Sequence, residues 1–134
     1  MGISKKDDGE MKIRKFTRVM KALSDPNRVA IVKVLARGRL CVCELTALLG
    51  LAQSTVSKHL RTLEEAGLVA YEKDGAWINY YLADGSDSPY ATAMLAHLQN
   101  WLEPDPKIDD LLARLSGINR HELCSGASLL KDRG

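Results

Sequence analysis

The sequence predicts a mainly α-helical domain with one small β-hairpin, a dimeric winged helix-turn-helix with flanking N- and C-terminal dimerisation helices. Two short amphipathic patterns, CELTALLG at 43–50 and STVSKHLRTLEEAG at 54–67, follow one another across a tight turn. LVAYEKDGAWINYYL comes directly after them, two strand-like runs around Asp74-Gly75, a dipeptide suited to a hairpin turn. Apolar helical patterns flank this unit on both sides.

Residues 1–10 are polar and are expected to be disordered. From Met11 to Leu23, Ile13, Phe16, Met20 and Leu23 recur at spacings of three and four, one face of an amphipathic helix. In SDPNR, Ser24 or Asp25 can cap the next helix and Pro26 suits its first turn. That helix runs from Pro26 to about Ala36, and Gly38 ends it. Val29, Ile31, Val32, Val34 and Leu35 cover most of its circumference, which places it in the core.

The helix at 43–49 comes next, then one from about Ser54 to Ala66. Val56, Leu60 and Leu63 form its buried stripe, and Ser54, Lys58, Arg61 and Glu65 point away. Beyond the hairpin, residues 88–102 carry Tyr90, Ala93, Met94, Leu98 and Trp101 at helical spacing and stop at Pro104 and Pro106. A last short helix spans about Lys107 to Leu115. Three regions result: the polar segment 1–10, a winged-helix and dimerisation domain over 11–102, and a C-terminal extension, 103–134, that contains the short helix and Cys124.

At 134 residues the chain is a single domain whose modest core gains from a symmetric partner. No stretch is apolar over the roughly 18 residues of a membrane span, and MGISKKDDGE has no apolar signal core. The three cysteines, Cys41, Cys43 and Cys124, imply reduced thiols and a cytoplasmic location rather than a disulfide scaffold. Residues 1–40 hold eleven Lys and Arg against four Asp and Glu, whereas 41–82 and 83–134 are each slightly acidic. Such an N-terminal surplus suits an anionic partner, although solvated faces show it too. An enzyme is not expected, because there is no phosphate-binding glycine loop, no paired carboxylates placed for acid–base work, and no base beside a cysteine.

From Lys21 to Leu82 the chain resembles the ArsR/SmtB repressors of metal and metalloid resistance. The resemblance rests on LSDPNR, on CVCEL, and on QSTVSKHLRTLEEAGLV running into the Asp-Gly wing. It implies a homodimer that represses an operon and releases its double-stranded operator DNA when an ion binds. The apolar faces of the Met11–Leu23 and Pro89–Leu102 helices would join the two copies, and the operator would be an inverted repeat. Gln53, Ser54, Thr55, Ser57 and Lys58 cluster where side-chain donors and free N–H groups meet phosphates and base edges, and Arg61 continues that face. His59 lies beside the buried stripe; the resemblance places it at DNA. In the wing, Lys73 and Gly75 are candidates for backbone contacts, with Trp77, Tyr80 and Tyr81 packing behind them.

A helix start ordinarily carries Ser, Thr, Asp or Asn, yet here stand Cys41 and Cys43. If the lead-in is extended, both sulfurs point to one side; if the helix includes Cys41, they lie about 200° apart and coordination unwinds the first turn. The helix start and Arg39 favour thiolates, and paired thiolates suit a soft ion, the alternative being two small buried hydrophobes. Resemblance to the CVC-type sensors implies trivalent arsenic or antimony as inducer, bound by Cys41 and Cys43. Several of those sensors have a third cysteine where this chain has Thr46, so Cys124 is either the third ligand, from the same or the other subunit, or an unrelated packed residue. The family's zinc pattern falls on Asp84, Ser86, His97 and Asn100, two of which are not usual zinc ligands, while His121 and Cys124 form at most a partial site. One rival keeps the fold and makes Cys41 or Cys43 with Cys124 a redox or sulfide sensor; another is a metal-delivery protein.

Overall fold

The computed structural model describes residues 2–86 and 88–118, the first ten of them as backbone alone. Helix α1 spans Gly2–Ala22, so the polar segment expected to lack structure is helical from its second residue. SKKDDGEMK contains neither proline nor a β-branched residue, and a helix already nucleated downstream extends through such a stretch at little cost. Val19 and Ala22 are fully buried in α1, whereas Ile13 and Phe16 stay exposed.

Helix α2, Pro26–Leu35, starts on Asp25, whose Oδ1 accepts from the backbone N–H of Asn27 at 2.8 Å and of Arg28 at 3.2 Å. Of the two cap candidates, Asp25 caps α2; the Ser24 hydroxyl instead donates to the Lys21 carbonyl at the end of α1. Ala30 to Leu35 are all buried, including Lys33. Its ammonium donates to the carbonyls of Leu98 at 2.7 Å and Trp101 at 3.0 Å and pairs with Glu103 at 3.2 Å.

A two-residue strand, β1 (Leu40–Cys41), precedes α3 (Val42–Leu49), which stops at Gly50 in the left-handed region. Then come α4 (Gln53–Glu65), β2 (Val69–Asp74) and β3 (Trp77–Leu82). The antiparallel sheet has the order β1-β3-β2, and β1 was not expected from so short a run. Register from Val69↔Leu82 to Asp74↔Trp77 makes the loop Gly75-Ala76, one residue beyond the expected Asp74-Gly75. Gly75 has φ +64° and Ala76 does not share it, the pattern of a II′ turn, which takes glycine first.

Helix α5, Pro89–Leu98, is capped by Ser88, whose hydroxyl accepts from the Ala91 N–H. It ends four residues short of the expected Leu102, which has φ +64° and cannot continue a helix, while Lys33 takes the freed carbonyls. Asp105 caps α6, Pro106–Leu115, whose Ile108 and Leu111 are buried as it packs on α2 and α3. Ile31, Leu45, Leu48, Leu60, Leu63 and Leu68 form the fully buried centre, which fixes α3 and α4 against α2.

Burial raises the Asp25 pKa, but the N–H groups of Arg28 and Asn27 and the nearby Arg28 guanidinium outweigh it and hold the carboxyl below 3.8. Asp25→Ala should therefore cost about 1 kcal/mol in urea unfolding at neutral pH. Because the folded-state pKa is the lower one, the charge-dependent part of this contribution is full above the unfolded value and fades as pH falls through the folded one. The gap between wild type and variant should narrow in acid.

Candidate nucleic-acid interface and sensor thiols

The apolar stripe of α4 decides which side chains face outward. Val56, Leu60 and Leu63 are fully buried, and Gln53, Ser54, Ser57, Lys58 and Arg61 are exposed on the remaining surface. Thr55 and His59 are half-buried at the margins. Ala52 precedes the helix and offers no side-chain acceptor, so the N–H groups of Gln53 and Ser54 have no side-chain cap, whereas that of Thr55 donates to the Ala52 carbonyl at 3.0 Å. Such an end attracts anions, and Lys58 and Arg61 add two cations along the same helix.

His59 has a partner that local spacing could not reveal. Its Nδ1 lies 3.2 Å from a terminal nitrogen of Arg28 on α2. A guanidinium only donates, so Nδ1 accepts and the neutral ring carries its proton on Nε2. Arg28 also donates through Nε to the Ala22 carbonyl at 2.6 Å and through its other terminal nitrogen to the Lys21 carbonyl at 3.0 Å. One side chain thus ties the end of α1 to α4.

At the wing, Lys73, Asp74, Gly75 and Ala76 are exposed. Behind them Tyr71 and Tyr80 pack with ring centroids 5.5 Å apart, and Trp77 is half-buried. Burial first, then the nearby Glu64 and Tyr71, raises the Tyr80 pKa above 10.0. Arg39, expected to favour the thiolates, reaches the wing instead: it pairs with Glu72 and lies over the Tyr81 ring, 4.4 Å from the centroid.

The two described thiols sit on either side of a change in backbone type. Cys41 is extended, with φ −91° and ψ 170°, and it is the last residue of β1 and the N-cap of α3. Val42 and Cys43 are already helical, so neither simple lead-in applies to the pair. Cys41 is 4% exposed and Cys43 is half-buried. A capping box forms here with a thiol in the serine's place: Glu44 Oε1 accepts from the Cys41 N–H at 2.9 Å, and the Cys41 sulfur faces the Glu44 N–H in return.

One turn after Cys43, the buried Thr46 Oγ1 has no hydrogen-bond partner among the described residues. Cys124 and His121 lie outside the described residues, within which no group of three His, Cys, Asp or Glu is placed to hold a metal. The positions of the zinc pattern are otherwise engaged: Asp84 accepts from the Ser86 N–H at 2.9 Å, and His97 stacks on Trp101 at 4.4 Å. No helix among the described residues is long and apolar enough to cross a membrane.

The profile of the family described as bacterial regulatory protein, arsR family, matches residues 25–71, from the Asp25 cap into β2. The arsenical resistance operon repressor of Escherichia coli is 34% identical over 114 residues, 83% of this chain and 90% of that protein. This chain belongs to the ArsR family. The arsenic resistance transcriptional regulator of Pseudomonas putida is 40% identical over 92 residues, covering 65% of this chain and 71% of that one. A solved homodimeric winged helix-turn-helix DNA-binding domain from Mycobacterium bovis matches with a TM-score of 0.60 and 30% identity over 69% of this chain and 82% of that one. The ArsR-family chain is therefore a winged helix-turn-helix transcriptional regulator and not an enzyme.

Exposed cations on α4 should act on DNA phosphates. Lys58→Ala and Arg61→Ala should each weaken binding to the DNA upstream of the regulator's own gene, and the slope of log affinity against log salt should fall by about one unit per subunit. Gln53→Ala and Ser57→Ala should cost more on that DNA than on random duplex. Fluorescence anisotropy across a salt series checks both, and unchanged affinity in the two cation variants would remove α4 as the recognition helix.

Proposed function

We propose that this protein is a homodimeric repressor of a metalloid-resistance operon, released from its operator when trivalent arsenic or antimony binds Cys41 and Cys43. The observation that carries this reading is the position of the thiol pair at the joint between β1 and α3, the first helix of the helix-turn-helix. Closing both sulfurs on one soft ion acts on the backbone at Cys41 and on the first turn of α3, where the Glu44 capping box holds the helix start. Because α3 packs on α4, a displaced α3 shifts the surface that meets DNA. Relatives named for arsenic resistance agree with a metalloid signal.

Cys124 is a candidate third ligand. It follows α6, and α6 packs directly on α3. DNA contacts are assigned to Gln53, Ser54, Thr55, Ser57, Lys58, His59 and Arg61 on α4, with Lys73 and Gly75 at the wing. The two copies meet through α1 and α5, where Ile13 is 67% exposed and Phe16 packs edge-on to Tyr90 at 5.6 Å. Paired α4 helices then suit an inverted repeat with half-sites one duplex turn, ~34 Å, or a multiple of it apart.

Arsenite should release the wild type from DNA, while Cys41→Ser and Cys43→Ser should still bind DNA and no longer respond. Serine at 41 keeps an acceptor for the Glu44 N–H and a place in the capping box, so the fold survives. A coupling of roughly 1–3 kcal/mol is enough for the switch, and DNA must weaken ion binding by the same factor. Loss of response in Cys124→Ser would make it the third ligand; an unchanged response would leave a two-thiolate site. Full inducibility of both Cys41→Ser and Cys43→Ser would sink the proposal. Ile13→Asp combined with Phe16→Asp should yield monomers in sedimentation, and a dimer unaffected by these changes would displace α1 from the interface.

A further inference from the structure

We propose that Arg39 is a positioning residue that couples the thiol pair to the wing, so that inducer binding moves the wing together with the helix-turn-helix. The inference rests on the reading of Cys41 and Cys43 as inducer ligands and adds a second route from them to DNA. Cys41 belongs to two elements at once, ending β1 and capping α3. In β1 it stands opposite Asn79 of β3, and Asn79 in turn stands opposite Glu72 of β2. Cys41, Asn79 and Glu72 therefore form one rung across all three strands of the sheet that carries the wing tip. Asn79 is 5% exposed, so the middle of this rung is enclosed by neighbouring groups.

A two-residue strand by itself is a weak lever. Arg39 strengthens it from the residue next to β1, because its guanidinium pairs with Glu72 on β2 and covers the Tyr81 ring on β3. Both wing strands are thus gripped from the segment that leads into the first ligand. A change in the backbone of Cys41 rotates or translates that segment, and the grip carries the change to Lys73 and Gly75. Arg39 and Glu72 are each about half exposed, with 51% of the side chain accessible. An ion pair so exposed adds little to folding stability, so removing it should leave the fold and the thiol chemistry in place.

The test uses the full chain with Trp101→Phe, which leaves Trp77 in the wing as the sole tryptophan. Three quantities are read with arsenite as the probe: arsenite affinity without DNA, the arsenite-induced change in Trp77 emission, and the ratio of DNA affinities without and with arsenite. Arg39→Gln should keep the arsenite affinity, lose most of the Trp77 change, and lower the DNA ratio from the ~5–150-fold range of coupled sites toward unity. Glu72→Gln should do the same. The two substitutions change charge in opposite directions, so a shared loss of coupling cannot come from net charge acting on DNA. Arg39→Lys, which keeps the cation, should recover part of the response.

Wild-type arsenite affinity with an undiminished Trp77 change and DNA ratio in both Gln variants would overturn the coupling while leaving the ligand reading intact. Absence of arsenite binding by the Trp101→Phe protein and by the wild type would overturn both. If Arg39→Gln does not fold, Glu72→Gln decides the matter from the other end of the pair.

Discussion

Helix α2 is buried along its whole second half, and that burial constrains every other element. A helix that is apolar on most sides needs neighbours on most sides, and α2 packs against α4, β3 and α6. Its two cations then have no free choice of partner. Lys33, carried into the interior by its position between Val32 and Val34, takes the carbonyls at the end of α5. Arg28, near the other end of α2, takes the last carbonyls of α1. The flanking helices are thus tied to the DNA-binding unit by charge-assisted bonds to carbonyls at or just beyond their C-terminal ends, and such bonds are stronger than neutral ones.

The same economy of capping explains the cysteines. A thiol is a poor cap, but the helix start is braced by a reciprocal pair: the Cys41 N–H donates to Glu44 Oε1, and the Cys41 sulfur faces the Glu44 N–H. That arrangement frees the residues at 41 and 43 from the usual demand for oxygen side chains. It also places one carboxylate of the helix start next to Cys43 and three residues from Cys41. A helix start held by few bonds yields more readily than one held by many.

Much of the fold was legible in the sequence because its signals are local. The Asp25-Pro26 start, the Val56, Leu60 and Leu63 stripe and the paired strands all depend on residues a few positions apart. What was missed depends on contacts across the chain or on small register choices. No pattern announces that Arg28 meets His59, or that Lys33 ends α5 sixty-five residues later. Strand β1 exists only because β3 lies beside it, and the wing tip moved by one residue because the II′ geometry needs glycine at its first position, where Asp74 would be strained. The exposed polar face of α4 and the partial burial of His59 beside the apolar stripe were readable from spacing, whereas the half-burial of Thr55 was not.

If His59 meets a base pair, as proposed above, its bond to Arg28 restricts what it can recognise. With Nδ1 occupied as an acceptor, the ring presents Nε2–H outward, and any atom that meets it there has to be an acceptor. In the major groove that admits guanine N7 and O6, adenine N7 and thymine O4, and it refuses the amino group of cytosine. A side chain that is chemically two-faced in isolation is thus held to one tautomer by an arginine on another helix.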